Sequence, residues 1–485
     1  MLQTERLFIG GEWVAPSSSA VIEVISPHSE EIVGRVPEAK EADVERAVAA
    51  ARQAFEEGPW PRLPAKDRAE YMAKLSSGIQ GRMSEIAGVI TTEMGSPASF
   101  SLMGQVLASK MVLDYYVNLA REFPFEDLRA GMMGPSLVRH EPVGVAAAIV
   151  PWNVPLFTTM LKLGPALAAG ATVVVKPAPE TPLDAVILAE LVQEAAFPAG
   201  VVNFVPAGRE VGEHLVKHAG IDKVSFTGST AAGRRIAAIC GERLKRCTLE
   251  LGGKSAAIIL EDVDVAVTIP ALLPSAIMNN GQACIAQTRI LAPRARYAEI
   301  VDALAAALAA VPVGDPADPR TGVGPLAAKR QRERVLGYIA SGKQEGAHCV
   351  LGGGRPAGLT KGWYVEPTLF ADVNNQMKIA REEIFGPVLA VIPYEGEAEA
   401  IRIANDSEYG LSGTVWTRDV ERGIGIARRV RTGTYTVNGF MMEFGSPFGG
   451  FKNSGVGREL GPEGLRAYLE PKSISLPPGT QPKLQ

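Results

Sequence analysis

Two hydrophobic periods alternate along the chain. Over residues 143–250, continuous apolar runs of strand length alternate with segments whose apolar residues recur every three to four positions. This predicts strands at 143–150, 171–176, 201–205, 223–226 and 244–250, with helices at 155–169, 182–196, 210–218 and 230–240 between them. Gly170 and Gly241 stand where two of these helices should stop, and Pro155 and Pro182 where two should start. Strands that are apolar throughout belong in a parallel sheet covered on both faces, with the helices as crossovers. A second series of the same kind follows. Its strands are expected at 256–260, 288–291, 388–393, 412–417 and 434–437, and its helices at 263–279, 297–310, 327–343, 397–404 and 420–430. The expected fold class is α/β with two doubly wound parallel-sheet domains.

The residues before Ala120 read as mostly helical after a strand pair around Phe8 and Trp13. Segments 123–141 and 471–476 fit neither series, and residues 477–482 look like a loose tail or an extended arm. There is no internal repeat and no low-complexity tract.

Composition narrows the function. At 485 residues the chain is too long for one ordinary core. Its 46% apolar and 21% charged residues are those of a globular enzyme. With a formal net charge of -4 and no basic run, nucleic-acid binding is disfavoured. The longest apolar runs are broken by Gly, Pro or Lys well short of the ~20 residues of a membrane helix. The first residues lack the basic start and apolar stretch of a secretory signal. Cys240, Cys247, Cys284 and Cys349 form no CxxC pair and do not cluster with the five histidines, so neither a metal site nor a disulfide framework is expected. A reducing cytoplasm, where a free thiol survives, is the expected compartment.

The chemistry concentrates in a few Gly-flanked turns. Cys284 closes Asn279-Asn280-Gly281-Gln282-Ala283-Cys284, and Glu250 opens Glu250-Leu251-Gly252-Gly253-Lys254. Such a pair suggests a nucleophile and a base; a buried apolar cysteine and a solvated glutamate would give the same letters. Phe226-Thr227-Gly228-Ser229-Thr230 joins a strand to a helix, where free N–H groups favour an anion, although glycine at such a turn also serves packing alone. The loop is neither G-x-G-x-x-G nor a Walker A sequence, since Arg234-Arg235 stands where Lys-Ser/Thr would be. Lys176 ends a strand at the edge where ligands bind, as a ribose donor or as a solvated lysine. Asn153, between Pro151 and Pro155, reads as an oxyanion donor or as a helix cap.

Taken in order, these runs resemble the aldehyde dehydrogenase superfamily over nearly the whole chain. The resemblance also rests on Leu163-Gly164-Pro165-Ala166-Leu167, Glu382-Glu383-Ile384-Phe385-Gly386-Pro387, Ser446-Pro447-Phe448-Gly449-Gly450 and the stretch from Lys452 to Glu459. It implies a Rossmann-like cofactor domain (1–119 and 142–252), a catalytic domain (253–453), and a small β oligomerisation arm with the C-terminal segment (120–141 and 454–485). It implies that Cys284 attacks an aldehyde, that Asn153 and the Cys284 N–H hold the oxyanion, and that Glu250 activates water against the resulting thioester. Lys162 and Glu459 would support the proton path of Glu250.

The implied cofactor is NAD, with NADP open. Trp152 and Lys176 would lie near its adenosine half, Gly228 and Ser229 near the pyrophosphate, Glu383 and Phe385 near the nicotinamide ribose, and Leu251 near the nicotinamide ring. NAD-preferring relatives often carry Glu three residues after the strand-end Lys; here that residue is Pro179, with Glu180 one later and Arg209 as a nearby cation for a 2′-phosphate. The implied substrate pocket is Val154, Thr158, Leu161, Met278, Ala283, Ile285, Phe444 and Phe448. It has no aromatic cage for a quaternary ammonium and no cation for a carboxylate, which points to a medium-sized aliphatic or aromatic aldehyde. The competing readings are a CoA-acylating relative, which commonly lacks the base, and a non-catalytic crystallin-like protein. A homodimer or homotetramer is implied.

Overall fold

The computed structural model describes residues 2–484. Its largest sheet has eight strands, in the spatial order Gly455–Val456, Arg246–Glu250, Lys223–Thr227, Val145–Ile149, Thr172–Lys176, Val202–Phe204, Leu7–Ile9, Glu12–Val14. The middle five are parallel; the outer ones are antiparallel additions. The chain starts the parallel set at Val145–Ile149, builds outward to Val202–Phe204, then returns to place Lys223–Thr227 on the other side. That reversal opens a crevice at the carboxyl ends of the strands. Helices Ala65–Gly81, Ala108–Glu122, Pro155–Ala169 and Leu183–Glu194 pack on one face, and Glu41–Glu56, Arg209–Lys217 and Thr230–Glu242 on the other. Both faces are thus dry, as the continuous apolar strands require.

The second sheet has seven strands, in the order His348–Leu351, Thr368–Ala371, Val388–Tyr394, Arg289–Pro293, Ala256–Ile259, Gly413–Trp416, Thr436–Val437. All pairings are parallel except that of His348–Leu351. Segments 123–141 and 471–476, which fitted neither series, find each other. Glu126–Arg129, Ser136–Pro142 and Leu469–Ser475 form an antiparallel three-stranded sheet.

The pattern misplaces some boundaries for physical reasons. The helix expected over 263–279 stops at Ala276, because Asn279 and Asn280 turn into the left-handed region with φ of 52° and 63°. Helix Thr230–Glu242 runs past Gly241, and Leu244, at φ 54°, makes the turn and lies outside the strand. Strands Val21–Ile25 and Ile32–Pro37 were not expected. Val21 and Ile25 face solvent, which hides the apolar alternation. The short pair His348–Leu351 and Thr368–Ala371 was likewise not anticipated.

Candidate active site

Cys284, Glu250 and Asn153 line one cavity of ≈ 200 Å³ between the two sheets. Every residue of the expected substrate pocket lines it too: Val154, Thr158, Leu161, Met278, Ala283, Ile285, Phe444 and Phe448. The structure adds Phe100, Gly104, Ala108, Phe157, Phe440 and Met442, which the sequence did not single out. Thr227 and Glu459 complete the polar corner beside Glu250.

The cysteine loop is held from several sides. The Asn279 side chain donates to the Asn153 carbonyl (2.8 Å) and accepts from Ser96 Oγ (2.8 Å). Asn280 donates to the carbonyls of Gly95 and Pro325 (both 2.9 Å) and accepts from the Gly324 N–H (2.7 Å). A Cβ at Gly281 would lie 2.1 Å from the Gly386 backbone, and one at Gly253 would lie 2.2 Å from the Cys284 carbonyl oxygen. Any larger residue at either position would move the thiol. Asn153 does not cap the next helix, whose cap residue is Val154; its side-chain N–H₂ donates instead to the Gln282 carbonyl at 2.8 Å.

Electrostatics at the centre are set by dryness. Burial raises the Glu250 carboxyl well above the usual carboxylate range, the Glu459 charge adds to this, and Lys162 and Arg458 oppose it. Neither Glu250 oxygen has a protein hydrogen-bond partner. Burial, then the carboxylates of Glu383 and Glu250, hold the Cys284 thiol above its ordinary value. Lys162 is fully buried; its Nζ donates to Glu459 Oε1 (2.7 Å) and Thr227 Oγ1 (2.6 Å). The buried ion pair between Lys162 and Glu459 therefore exists, at the edge of the cavity.

The expected cofactor positions follow the crevice of the first sheet. The rings of Trp152 and Phe385 meet edge to face at 5.4 Å. Lys176 is not a solvated lysine: it is buried, its Nζ donates to the Pro177 and Ala207 carbonyls at 2.7 and 2.8 Å, and burial brings its ammonium down to about 8. One of its three donors remains for a ligand. The Gly228 N–H donates to the Glu250 carbonyl (3.0 Å), and Ser229 caps helix Thr230–Glu242 by accepting from the Ala232 N–H (3.3 Å). Leu251 is buried. Glu383 accepts from the Gly253 N–H (2.9 Å), and burial pushes its carboxyl up to about 7. A Cβ at Gly252 would lie 2.6 Å from the Glu383 carboxylate. Glu180 is ion-paired with Arg330, and Pro179 offers no carboxylate. A helix N-terminus, a buried strand-end lysine and a carboxylate shielded by glycine fit a dinucleotide. Cys240, Cys247 and Cys349 are free thiols outside this cavity. Among the described residues no group of three or more His, Cys, Asp or Glu is disposed to hold a metal, and no helix is long and apolar enough to cross a membrane.

Comparison with known proteins decides the family. The model of the aldehyde dehydrogenase family matches residues 13–474. The chain belongs to the aldehyde dehydrogenase family. It is 49% identical over 473 residues to the geranial dehydrogenase of Castellaniella defragrans, covering 97% of this chain and 98% of that one. A Mycobacterium tuberculosis aldehyde dehydrogenase in complex with NAD+ superposes with a TM-score of 0.98 at 52% identity, over 99% of both chains. Aldehyde dehydrogenase C of Pseudomonas syringae, a mutant in complex with NAD+ and octanal, superposes with a TM-score of 0.94 at 40% identity, over 97% of this chain and 96% of that one. The chain is thus a nicotinamide-dependent oxidoreductase that oxidises aldehydes.

Proposed function

We propose that this aldehyde dehydrogenase oxidises apolar aldehydes to carboxylic acids by covalent catalysis at Cys284, using NAD(P)+ and water. The observation that carries this reading is the meeting of Cys284, Glu250 and Asn153 on one cavity with otherwise largely apolar walls. Cys284 Sγ bonds to the aldehyde carbon as its S–H proton leaves through water to solvent. Asn153 has one side-chain N–H left after serving Gln282, and this hydrogen and the Cys284 N–H stabilise the oxyanion. NAD(P)+, when bound, takes up the hydride. Glu250 then draws one proton from a water as the water attacks the thioester on Cys284, and the second water proton returns to the sulfur, releasing the carboxylate and the thiol. A carboxylate that is buried without hydrogen-bond partners is a strong base for that step. Lys162 and Glu459 stand behind it.

The proposed cofactor contacts are Trp152 and Lys176 with the adenosine half, Gly228 and Ser229 with the pyrophosphate, Glu383 and Phe385 with the nicotinamide ribose, and Leu251 with the ring. NAD is the proposed cofactor, with NADP as a weaker second, since Pro179 supplies no carboxylate to repel a 2′-phosphate. The walls of the pocket suit a medium-sized aliphatic or aromatic aldehyde, in keeping with relatives named for geranial or captured with octanal.

Residues 1–119 and 142–252 are proposed to bind cofactor, 253–453 to carry the catalytic loop, and 120–141 with 454–485 to form an oligomerisation arm. Met132 and Met133 are fully exposed at the arm's hairpin tip, which suits burial against a second copy in a homodimer or homotetramer.

The test is reduced-nicotinamide absorbance with NAD and with NADP against an aldehyde panel without CoA, with Cys284→Ala as control. Turnover with NAD that vanishes in the variant is expected. Turnover only when CoA is added would make the enzyme acyl-transferring, and nucleotide binding without any turnover would make it a structural relative.

A further inference from the structure

Cys240 and Cys247 lie outside the active-site cavity, and the reaction gives them no task. Cys240 falls in the last turn of helix Thr230–Glu242, and Cys247 is the second residue of strand Arg246–Glu250. The chain returns from one to the other in a tight turn. The N–H groups of Arg243 and Lys245 donate to the Cys240 carbonyl at 3.2 and 2.9 Å, and Leu244 takes a left-handed φ of 54°. Alternate residues of a strand share a face, so Cys247 and Leu249 point the same way. They point into the apolar core that also holds Ile236, Ile239 and Cys240 of the helix. There the two thiols meet, and the Cys240 S–H donates to the Cys247 sulfur. Two sulfurs in hydrogen-bond contact need little backbone movement to be joined.

The two thiols are not alike. Cys240 is buried, whereas Cys247 keeps part of its surface. Cys240 also lines an open cleft of ≈ 860 Å³ together with Arg243, Lys245 and Arg246, which gives a small solute a way to the pair. The hydrogen bond from Cys240 holds the Cys247 thiol below its ordinary range; burial opposes this, and the nearby Lys223 ammonium adds to it. The same bond, and then burial, raises the Cys240 thiol. The thiolate is the nucleophile. Cys247 is therefore the attacking sulfur, and Cys240 the neighbour that can resolve what forms on it. Cys349 has a different setting, facing the carbonyls of Leu351 and Gly352 at 3.6 and 3.8 Å.

We propose that Cys240 and Cys247 form a redox-active pair that a small hydroperoxide closes into a disulfide. The Cys247 thiolate attacks one peroxide oxygen. The S–O bond forms as the O–O bond breaks, and hydroxide leaves. Cys247 is oxidised to a sulfenic acid and the peroxide is reduced. The Cys240 sulfur then bonds to the Cys247 sulfur as the S–O bond breaks, and the Cys240 proton leaves with that hydroxyl as water. A thiol reductant reopens the bridge by exchange. Closed, the bridge ties the end of helix Thr230–Glu242 to the strand that carries Glu250.

The sequence makes the bridge easy to read. Trypsin cuts after Arg235, Arg243, Lys245, Arg246 and Lys254, so only a disulfide holds peptide 236–243 to peptide 247–254 after digestion. The test treats the reduced full chain with hydrogen peroxide and blocks the remaining thiols with N-ethylmaleimide in denaturant. The protein is then digested without reductant and its peptides are mapped by mass. The expected product is the joined pair of peptides, absent after dithiothreitol, and formed roughly tenfold or more faster than Cys349 loses its reactivity. Cys240→Ser should leave a sulfenic acid on Cys247 that dimedone traps, and Cys247→Ser should leave Cys240 open to alkylation. Both cysteines still alkylated after peroxide, or both oxidised no faster than Cys349, would overturn the pair. A bridge from either of them to Cys284 or to a second copy of the chain, in place of the joined peptides, would overturn it too.

Discussion

The side-chain amide of Asn153 donates to the carbonyl of Gln282 at 2.8 Å, two residues ahead of Cys284. The proposed oxyanion donor is therefore also an anchor of the nucleophile's loop. Asn153→Ala is expected to lower kcat by roughly 10²–10³ and to lower Tm as well, because the buried Gln282 carbonyl loses its shorter hydrogen bond and keeps only the Asn279 donor at 3.4 Å. Steady-state kinetics beside thermal denaturation checks both. A loss of activity with Tm unchanged would confine Asn153 to the chemistry.

Glu250 should trade stability for function. Its carboxyl is raised above the unfolded value by burial first and by Glu459 second. The native state therefore holds that proton more tightly than the unfolded chain does, and stability falls as pH rises above the ordinary carboxylate range. Glu250→Gln is expected to raise Tm by roughly 2 °C or more at pH 8 and to change it little near pH 4. Melting curves across pH read this directly, and equal shifts at both ends would contradict it. The wild type's deacylation rate should rise with pH as Glu250 ionises.

The cavity walls predict a chain-length series. Each methylene buried against Phe157, Phe444 and Phe448 contributes about 0.8 kcal/mol. Hence kcat/KM should rise roughly fourfold per carbon from propanal, until the cavity is full. A semialdehyde acid of equal length should be poor, because none of the residues lining the cavity is cationic. Equal specificity constants for hexanal and such an acid would contradict the assignment.

What the sequence could and could not reveal follows from where each signal lives. Cys284 and Glu250 sit beside turns whose glycines are fixed by contact, as Gly281 is against Gly386 and Gly253 against Cys284, and Asn153 lies between Pro151 and Pro155, so their motifs are rigid in sequence as in space. Strands Val145–Ile149 and Thr172–Lys176 beside them are buried along their whole length and announce themselves as apolar runs. Phe100, Gly104 and Ala108 reach the same cavity from a distant helical stretch, and Phe440 and Met442 from a loop. Their letters carry no local mark of that destination. The pairing of 136–142 with 469–475 spans more than 300 residues, and no periodicity reports it.

The arm predicts assembly. Met132→Asp with Met133→Asp places two charges on a fully exposed apolar tip. In a monomer this would change nothing; at an interface it should shift the protein to smaller species. Light scattering coupled to size exclusion should show the double variant at lower mass than the wild type. An unchanged mass would take the tip out of the interface.

The central claim is a covalent intermediate on Cys284 that Glu250 clears. The most direct measurement is acid quenching of Glu250→Gln after incubation with NAD and octanal, followed by intact-mass and peptide analysis. The account predicts one acyl group per subunit, on Cys284, with one NADH formed for each. An unmodified Cys284, or continued turnover without CoA, would contradict it.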